Sequence, residues 1–158
     1  PPTYPATFVD HDLRPGARTT YFMTSPEGER FAGYWDITGV EPISRFTFRD
    51  GFAHADLTPN EDLPVSENVY TFSAADGGTQ AVFTSVYPTA EALQTVLDMG
   101  MEEGARSAID QTTADIGREQ SAILIYRTCR PSYTQHNRQW IGLALHTGSC
   151  IDTYDNFC

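Results

Sequence analysis

From Thr7 to Tyr87, apolar and polar residues alternate in short runs, which is the pattern of strands with one buried face. Turns rich in glycine and proline separate the runs, and Asp76-Gly77-Gly78 between the last two is a strong hairpin signal. The segment Asp50–Pro64 is acidic and without periodicity, so we expect a long loop there. The runs predict an antiparallel meander of about six strands, over Thr7–Asp12, Arg18–Thr24, Phe31–Val40, Ser44–Arg49, Val65–Ala74 and Thr79–Tyr87.

The period changes after Pro88, where apolar residues recur at helical spacing as far as Ile116. Thr89 is a suitable N-cap, and Glu91 places an acidic side chain in the first turn. We therefore expect one long helix from about Thr89 to Ile116. Its phase predicts a face toward the sheet and a face toward solvent, made respectively of Leu93, Leu97, Met101 and Ala108, and of Glu102, Arg106 and Asp110.

One stripe of this helix has almost no side chains, because Gly100, Gly104 and Ala108 stand four residues apart. A glycine inside a helix costs about 1 kcal/mol relative to alanine. Two glycines on one face indicate either close packing against the sheet or the wall of a cavity, and the sequence leaves both readings open.

A meander followed by a helix predicts an α+β fold, with the helix across one face of a curved sheet. The 158 residues fit one domain, and the net charge of -11 argues against nucleic acid and anionic membranes as partners. No apolar run approaches the roughly 20 residues that span a bilayer, so we expect a soluble, cytoplasmic protein.

Composition changes near Gly117. Residues 1–116 carry 18 acidic residues and 6 arginines, whereas residues 117–158 carry 3 and 4, and also hold all three cysteines. We therefore predict a domain over 1–116 and a separate tail over 117–158.

Four stretches resemble the AHSA-type branch of the START/SRPBCC helix-grip superfamily, which is named after an activator of a heat-shock chaperone's ATPase. They are Gly33–Thr38 (GYWDIT), Asp50–Pro64 (DGFAHADLTPNEDLP), Asp76–Thr79 (DGGT) and Met99–Gly104 (MGMEEG). The resemblance runs from about Pro1 to Ile116. It implies a bacterial protein whose antiparallel sheet wraps around a long C-terminal helix, with a ligand cavity between them.

The function that we expect from this architecture is binding of an apolar or aromatic small molecule, with no cofactor. The expected cavity lining comes from strands and helix: Tyr21, Trp35, Phe46, Phe48, Tyr70, Phe72, Leu97, Gly100, Met101, Gly104 and Ala108. A cyclase- or hydrolase-like enzyme is an alternative, because a polar pair within the cavity could be supplied by Tyr21, Tyr34, Glu67, Tyr70 or Arg18. A protein-partner role, as the family name suggests, is the third.

The family pattern begins with a strand and two short helices that have no counterpart here, and nothing after Ile116 resembles it. The first family strand lies beside the strand that corresponds to Thr79–Tyr87, so we expect a bare edge there. Ser121–Thr128 is a β-prone run in the tail. One hypothesis is that it pairs with this edge, within the chain or across a homodimer; the alternative is a tail that folds separately or not at all.

The remaining chemical candidates favour ordinary structural roles. His11 lies between Asp10 and Asp12, but neighbours in a strand point to opposite faces. The acidic loop around His54 lacks the glycine-centred spacing of calcium sites, so solvated carboxylates are the preferred interpretation. The tail cysteines form no C-x-x-C pair, which argues against structural zinc. We expect no metal site and no catalytic motif among these groups: Asp56, Glu61, Asp62, Cys129, His136, His146, Cys150 and Cys158.

Overall fold

A computed structural model of the chain describes residues 3–75, 78–116, 122–128 and 139–147, with side chains described as far as residue 111. The described residues form one antiparallel sheet and two helices. Their order along the chain is β1 (Ala6–Asp10), β2 (Arg18–Thr24), β3 (Arg30–Glu41), β4 (Arg45–Ala53), β5 (Ser66–Ala75), β6 (Gly78–Tyr87), α1 (Ala90–Asp98), α2 (Met101–Ile116), β7 (Ala122–Thr128) and β8 (Gln139–Thr147).

The sheet has the order β1-β2-β3-β4-β5-β6-β8-β7, so strands β1 to β6 form the predicted meander. The α+β class and the antiparallel connection of the first six strands are confirmed. No helix in the described part of the chain is long and apolar enough to cross a membrane.

Strand β4 is longer than the sequence suggested, because it continues through Asp50 and Gly51 to Ala53. Asp50 pairs with Trp35 on β3 and with Ser66 on β5. The predicted start of the loop at Asp50 is therefore wrong, and this carboxylate belongs to the sheet.

Paired residues on antiparallel strands point to the same side, which defines two faces of the sheet. The inner face packs against the helices and carries Trp35 with Asp50, Phe48 with Asn68, and Tyr70 with Phe83. The outer face carries the residues between them, including the ion pair of Arg18 and Asp36.

The predicted long helix is divided into α1 and α2 by Met99 and Gly100. Gly100 has a φ of 85°, which an L side chain rarely adopts. Its N–H donates to the Leu97 carbonyl at 2.9 Å, and its own carbonyl accepts from Gly104 N–H at 3.1 Å. One glycine thus ends the first helix and begins the second. The start of α1 matches the prediction, since the Thr89 hydroxyl accepts from Ala92 N–H at 3.1 Å.

The core lies where α1 and part of α2 meet strand β6. Leu93, Val96 and Ile109 are buried there against Ala81 and Tyr87. Complete burial of a leucine or valine side chain contributes about 1.5–3 kcal/mol, so α1 is well anchored. Leu97 and Met101 pack at the margin, as do Phe52, Phe72, Phe83, Ala92 and Ala105. The predicted helical phase agrees with this packing: Arg106 and Asp110 are exposed, and the side chain of Glu102 is 41% exposed.

The edge of β6 is paired, but not by the strand that we expected. Strand β8 pairs with Gln80–Tyr87, and β7 pairs with β8 on its far side. The hypothesis that Ser121–Thr128 covers this edge is therefore wrong as to the strand. The physical reason is that β propensity predicts a strand but does not fix its partner or register, so the composition of Ser121–Thr128 could not decide which strand covers β6.

Candidate functional site

Eight aromatic rings run in continuous contact across the inner face, and we call them the aromatic surface. Neighbouring ring centroids lie between 4.4 and 6.5 Å apart, mostly tilted or edge to face. Only Phe48 is fully buried, with 1% of its area exposed. The other seven rings keep accessible area, so the helices do not cover this surface completely. Its members are Phe8, Tyr21, Trp35, Phe46, Phe48, Tyr70, Phe72 and Phe83.

A single carboxylate, Asp50, interrupts this aromatic surface. It stands beside Trp35 in the sheet, and the Tyr21 hydroxyl lies 3.4 Å from its Oδ1 atom. The indole Nε1–H of Trp35 is close enough to act on the carboxylate but makes no hydrogen bond of normal geometry, and it is buried without a partner. A buried indole N–H normally finds an acceptor. Trp35 therefore has a donor available beside Asp50.

Desolvation by burial raises the pKa of Asp50 to about 7, although the donors Tyr21 and Trp35 act in the opposite direction. Burial also raises the pKa values of Tyr21, Tyr70 and Tyr87, and the charge of Asp50 adds to each shift. These phenols are therefore neutral at physiological pH. Asp50 keeps partial solvent access. We call the part of the inner face formed by Asp50, Tyr21, Trp35 and Tyr70 the recess.

Gly33 gives the Tyr21 ring its place. The two residues are paired across β2 and β3, and a Cβ atom on Gly33 would lie 2.6 Å from the Tyr21 hydroxyl oxygen. The ring thus lies over the neighbouring strand in the space that a side chain would fill. This position brings its hydroxyl to Asp50.

A small polar network continues the recess toward β6. Asn68 donates to the Ser66 hydroxyl at 2.9 Å and accepts from the Ser85 hydroxyl at 2.5 Å. Tyr87 bonds to Ser66 as well. Because these groups satisfy one another, they need no ligand, unlike the indole nitrogen of Trp35.

The helical residues predicted to line a cavity lie in three settings. Leu97 and Met101 pack at the margin of the core, and Gly104 and Ala108 are half-buried on α2. Gly100 lies exposed in the break between the helices. A Cβ atom on Gly104 would meet nothing within 4 Å, so this glycine is not in close contact with the sheet.

The polar residues proposed for an enzyme are divided between the two faces. Tyr21 and Tyr70 are on the inner face, near Asp50. Arg18 lies over the Tyr34 ring on the outer face, 4.5 Å from its centroid, and Glu67 is paired there with Arg49. An open depression of about 260 Å³ is lined by Arg49 and Glu67, together with Val65, Val86, Tyr87 and Pro88.

The other candidates have local partners or lie elsewhere. His11 contacts the Phe8 ring, and Asp12 pairs with Arg14. In the acidic loop, Asp56 accepts from Thr58. No group of three metal-ligating side chains occurs within residues 3–75 and 78–111. The tail residues Cys129, His136, Cys150 and Cys158 lie outside the described residues.

Asp50 is the site residue that the sequence interpretation missed. Phe46, Phe48, Asp50 and Phe52 alternate on one face of β4, and this period-two pattern was the available signal. The pair Asp50-Gly51 instead favours the start of a loop, because aspartate and glycine are typical turn residues.

An open antiparallel sheet with C-terminal helices across an aromatic inner face defines a START/SRPBCC-like α+β protein. The chain belongs to the family of activator of Hsp90 ATPase homolog 1-like proteins, whose model matches residues 4–114. The family resemblance seen in the sequence is thereby confirmed. A search of curated proteins gives no match.

Solved structures give the same fold. The crystal structure of protein Ms6760 from Mycobacterium smegmatis is 63% identical, with a TM-score of 0.67, over 72% of this chain and 70% of its own. A solution NMR structure of a protein from Arthrobacter aurescens is 36% identical, with a TM-score of 0.66, over 70% of this chain and 64% of its own. A third structure, of a protein from Staphylococcus epidermidis, is 24% identical, with a TM-score of 0.60, over 70% of this chain and 67% of its own. At this identity the likeness shows the fold alone.

Proposed function

We propose that this chain is a binding module that holds an apolar or aromatic small molecule between the inner face of the sheet and the helices. The observation that carries the proposal is the aromatic surface, of whose eight rings only Phe48 is fully buried. A surface of this kind is typical of ligand pockets, which combine apolar and aromatic walls with few polar groups. Asp50, Tyr21 and Trp35 are the polar groups here.

The helical side supports the same function. Gly104 leaves open space where another residue would place its side chain, and Ala105 and Ala108 on the same helix are small. The family and fold are compatible with a ligand-binding or a protein-binding module. The polar groups lie on the sheet face against which the helices pack, and this favours a small molecule over a flat protein surface.

Filling the space at Gly104 tests the proposal. Gly104→Leu should weaken binding of a small aromatic probe such as neopentylbenzene by at least about tenfold, because an isobutyl group occupies the ligand's volume. Binding is followed by the indole N–H resonance of Trp35, in a Trp140→Phe background that removes the second indole. Glu103→Leu is the matched control, since Glu103 is exposed on the same helix. Unchanged binding in folded Gly104→Leu protein would contradict the proposal.

A hydrolase-like activity is a second candidate, favoured by the pKa of about 7 at Asp50 beside the Tyr21 hydroxyl. A carboxylate that titrates near neutral pH suits general base catalysis. If it acts in this way, the protein should hydrolyse an aryl ester such as p-nitrophenyl butyrate, and Asp50→Asn should abolish turnover. The same rate in both proteins, or none in either, would exclude this role.

A further inference from the structure

The carboxylate of Asp50 has no positive partner among the residues that the structure describes. The four salt bridges of the described chain join other residues, namely Arg14 to Asp12, Arg18 to Asp36, Arg45 to Glu41 and Arg106 to Glu102. Among the side chains described up to residue 111, no arginine or histidine contributes to the electrostatic environment of Asp50. A buried carboxylate without a counter-ion is costly, so such groups are normally paired.

Aromatic rings surround this carboxylate on the inner face. Tyr21 and Trp35 have ring centroids 5.7 Å apart, Trp35 and Phe48 are 4.8 Å apart, and Phe48 and Tyr70 are 5.0 Å apart. Ring faces attract organic cations through their quadrupoles, and the attraction grows when water is excluded. Rings together with an unpaired carboxylate are therefore the chemistry that recognises a cation with an apolar body.

The outer face provides an internal comparison. There the guanidinium of Arg18 lies 4.5 Å from the Tyr34 ring centroid, and that of Arg30 lies 4.3 Å from the Phe22 ring centroid. Both arginine–ring contacts within the described residues are on this face, where the chain supplies the cations itself. The aromatic surface of the inner face has none from the described residues.

We propose that the recess formed by Asp50, Tyr21, Trp35 and Tyr70 binds an organic cation, that is, a ligand with an apolar or aromatic body and a protonated amine or quaternary ammonium group. The carboxylate would face the ammonium group, and the rings would contact its alkyl substituents. This inference rests on the proposed small-molecule function and specifies the chemical class of its ligand.

Proton linkage makes the inference more specific. A bound cation stabilises the ionised form of Asp50, whose pKa is about 7 in the free protein, so binding must release a proton below that pH. The side chains that act on Asp50 are Tyr21 and Trp35, and the charge of Asp50 in turn raises the pKa values of Tyr70 and Tyr87, which stay neutral. On α2, the charged pair of Glu102 and Arg106 is solvent-exposed. Affinity for a cation should therefore rise with pH from about 5 to about 8 and then level off.

Two probes of the same shape test the charge. Benzyltrimethylammonium carries a quaternary nitrogen, and neopentylbenzene replaces that nitrogen with carbon. In the Trp140→Phe background at pH 8, the cation should bind at least about tenfold more tightly than the neutral probe, as read from the Trp35 indole resonance. In Asp50→Asn the preference for the cation over the neutral probe should disappear, together with the pH dependence of cation binding.

The rings are tested separately from the charge. Tyr70→Phe keeps the ring and should retain cation binding, whereas Tyr70→Leu should weaken it by several fold. Circular dichroism and thermal melting establish that each variant is folded. If Asp50→Asn does not fold, the difference in cation affinity between Tyr70→Phe and Tyr70→Leu remains as the test.

The outcomes separate the two proposals. If the neutral probe binds as tightly as the cation, or if folded Asp50→Asn keeps full cation affinity, the cation inference is overturned while the binding function stands. If neither probe binds, the proposed small-molecule function fails with it.

Discussion

At the scale of single residues, the protonation of Asp50 is coupled to folding. Its pKa rises from an ordinary value of 3.8 to about 7 because the fold buries it. The folded state therefore binds a proton more tightly than the unfolded state does. The stability contributed by this proton is fully present below about pH 4 and is lost as the pH rises through about 7.

This coupling predicts a difference between the wild-type protein and Asp50→Asn that depends on pH. Between pH 4 and pH 8, the free energy of unfolding of the wild type should fall relative to the variant by on the order of 2–4 kcal/mol, since each pKa unit corresponds to about 1.4 kcal/mol. Urea denaturation of both proteins across this range measures it. Other carboxylates contribute equally to both proteins and cancel. A constant difference would show that Asp50 titrates normally in the folded state.

Gly33 offers a second test at this scale. Gly33→Ala places a methyl group against the end of the Tyr21 side chain, which can rotate away. We expect a loss of stability of about 1–3 kcal/mol, and loss of the contact between Tyr21 and Asp50. Because that contact lowers the pKa of Asp50, its removal should raise this pKa further. Titration of the Asp50 carboxyl carbon by NMR measures the change, and an unaltered pKa would contradict this role of Gly33.

At the scale of the elements, the break between α1 and α2 gives Gly100 and Gly104 different backbone conformations. Gly100 has a positive φ, whereas Gly104 lies within α2 with open space around it. Gly100→Ala should destabilise the protein by about 1 kcal/mol, because alanine is strained in the left-handed region. Gly104→Ala should instead stabilise it by up to about 1 kcal/mol. Thermal unfolding of the two variants gives the comparison, and effects of the same sign would contradict the assignment of the break.

The strands were more predictable than the helices for a physical reason. Alternation in β2, β3, β5 and β6 reflects one covered face, which fixes both the element and its facing. The helical pattern continues on both sides of Gly100, so periodicity alone does not reveal the break. Glycine tolerates both helical and left-handed conformations, and the φ of this residue depends on how α1 and α2 each pack. The recess could likewise not be predicted from the sequence, because it depends on which residues of neighbouring strands face Asp50.

At the scale of the whole molecule, β8 covers the edge of β6. A chain that ends at Ile116 should expose the backbone donors and acceptors of Gln80–Tyr87 and associate through them. Light scattering at increasing concentration should show a rise in mass that is larger than for the full chain, with a lower melting temperature. Thr84→Lys in the shortened chain is the control, since a lysine on an edge strand opposes strand addition and should reduce the association. A shortened chain that is monomeric and equally stable would contradict this role of β8.

The space above Gly33 has a consequence for how this site would be inherited. Tyr21 reaches Asp50 only because position 33 has no side chain. The site therefore requires glycine at position 33 as well as the phenol at position 21. Change at either position alone alters the site: a larger residue at 33 displaces the ring, and a smaller residue at 21 leaves the glycine uncovered. Among related sequences, these two positions should therefore vary together, with glycine at 33 wherever 21 is aromatic. The recess would be recognised across the family by this correlated pair beside an acidic residue at position 50.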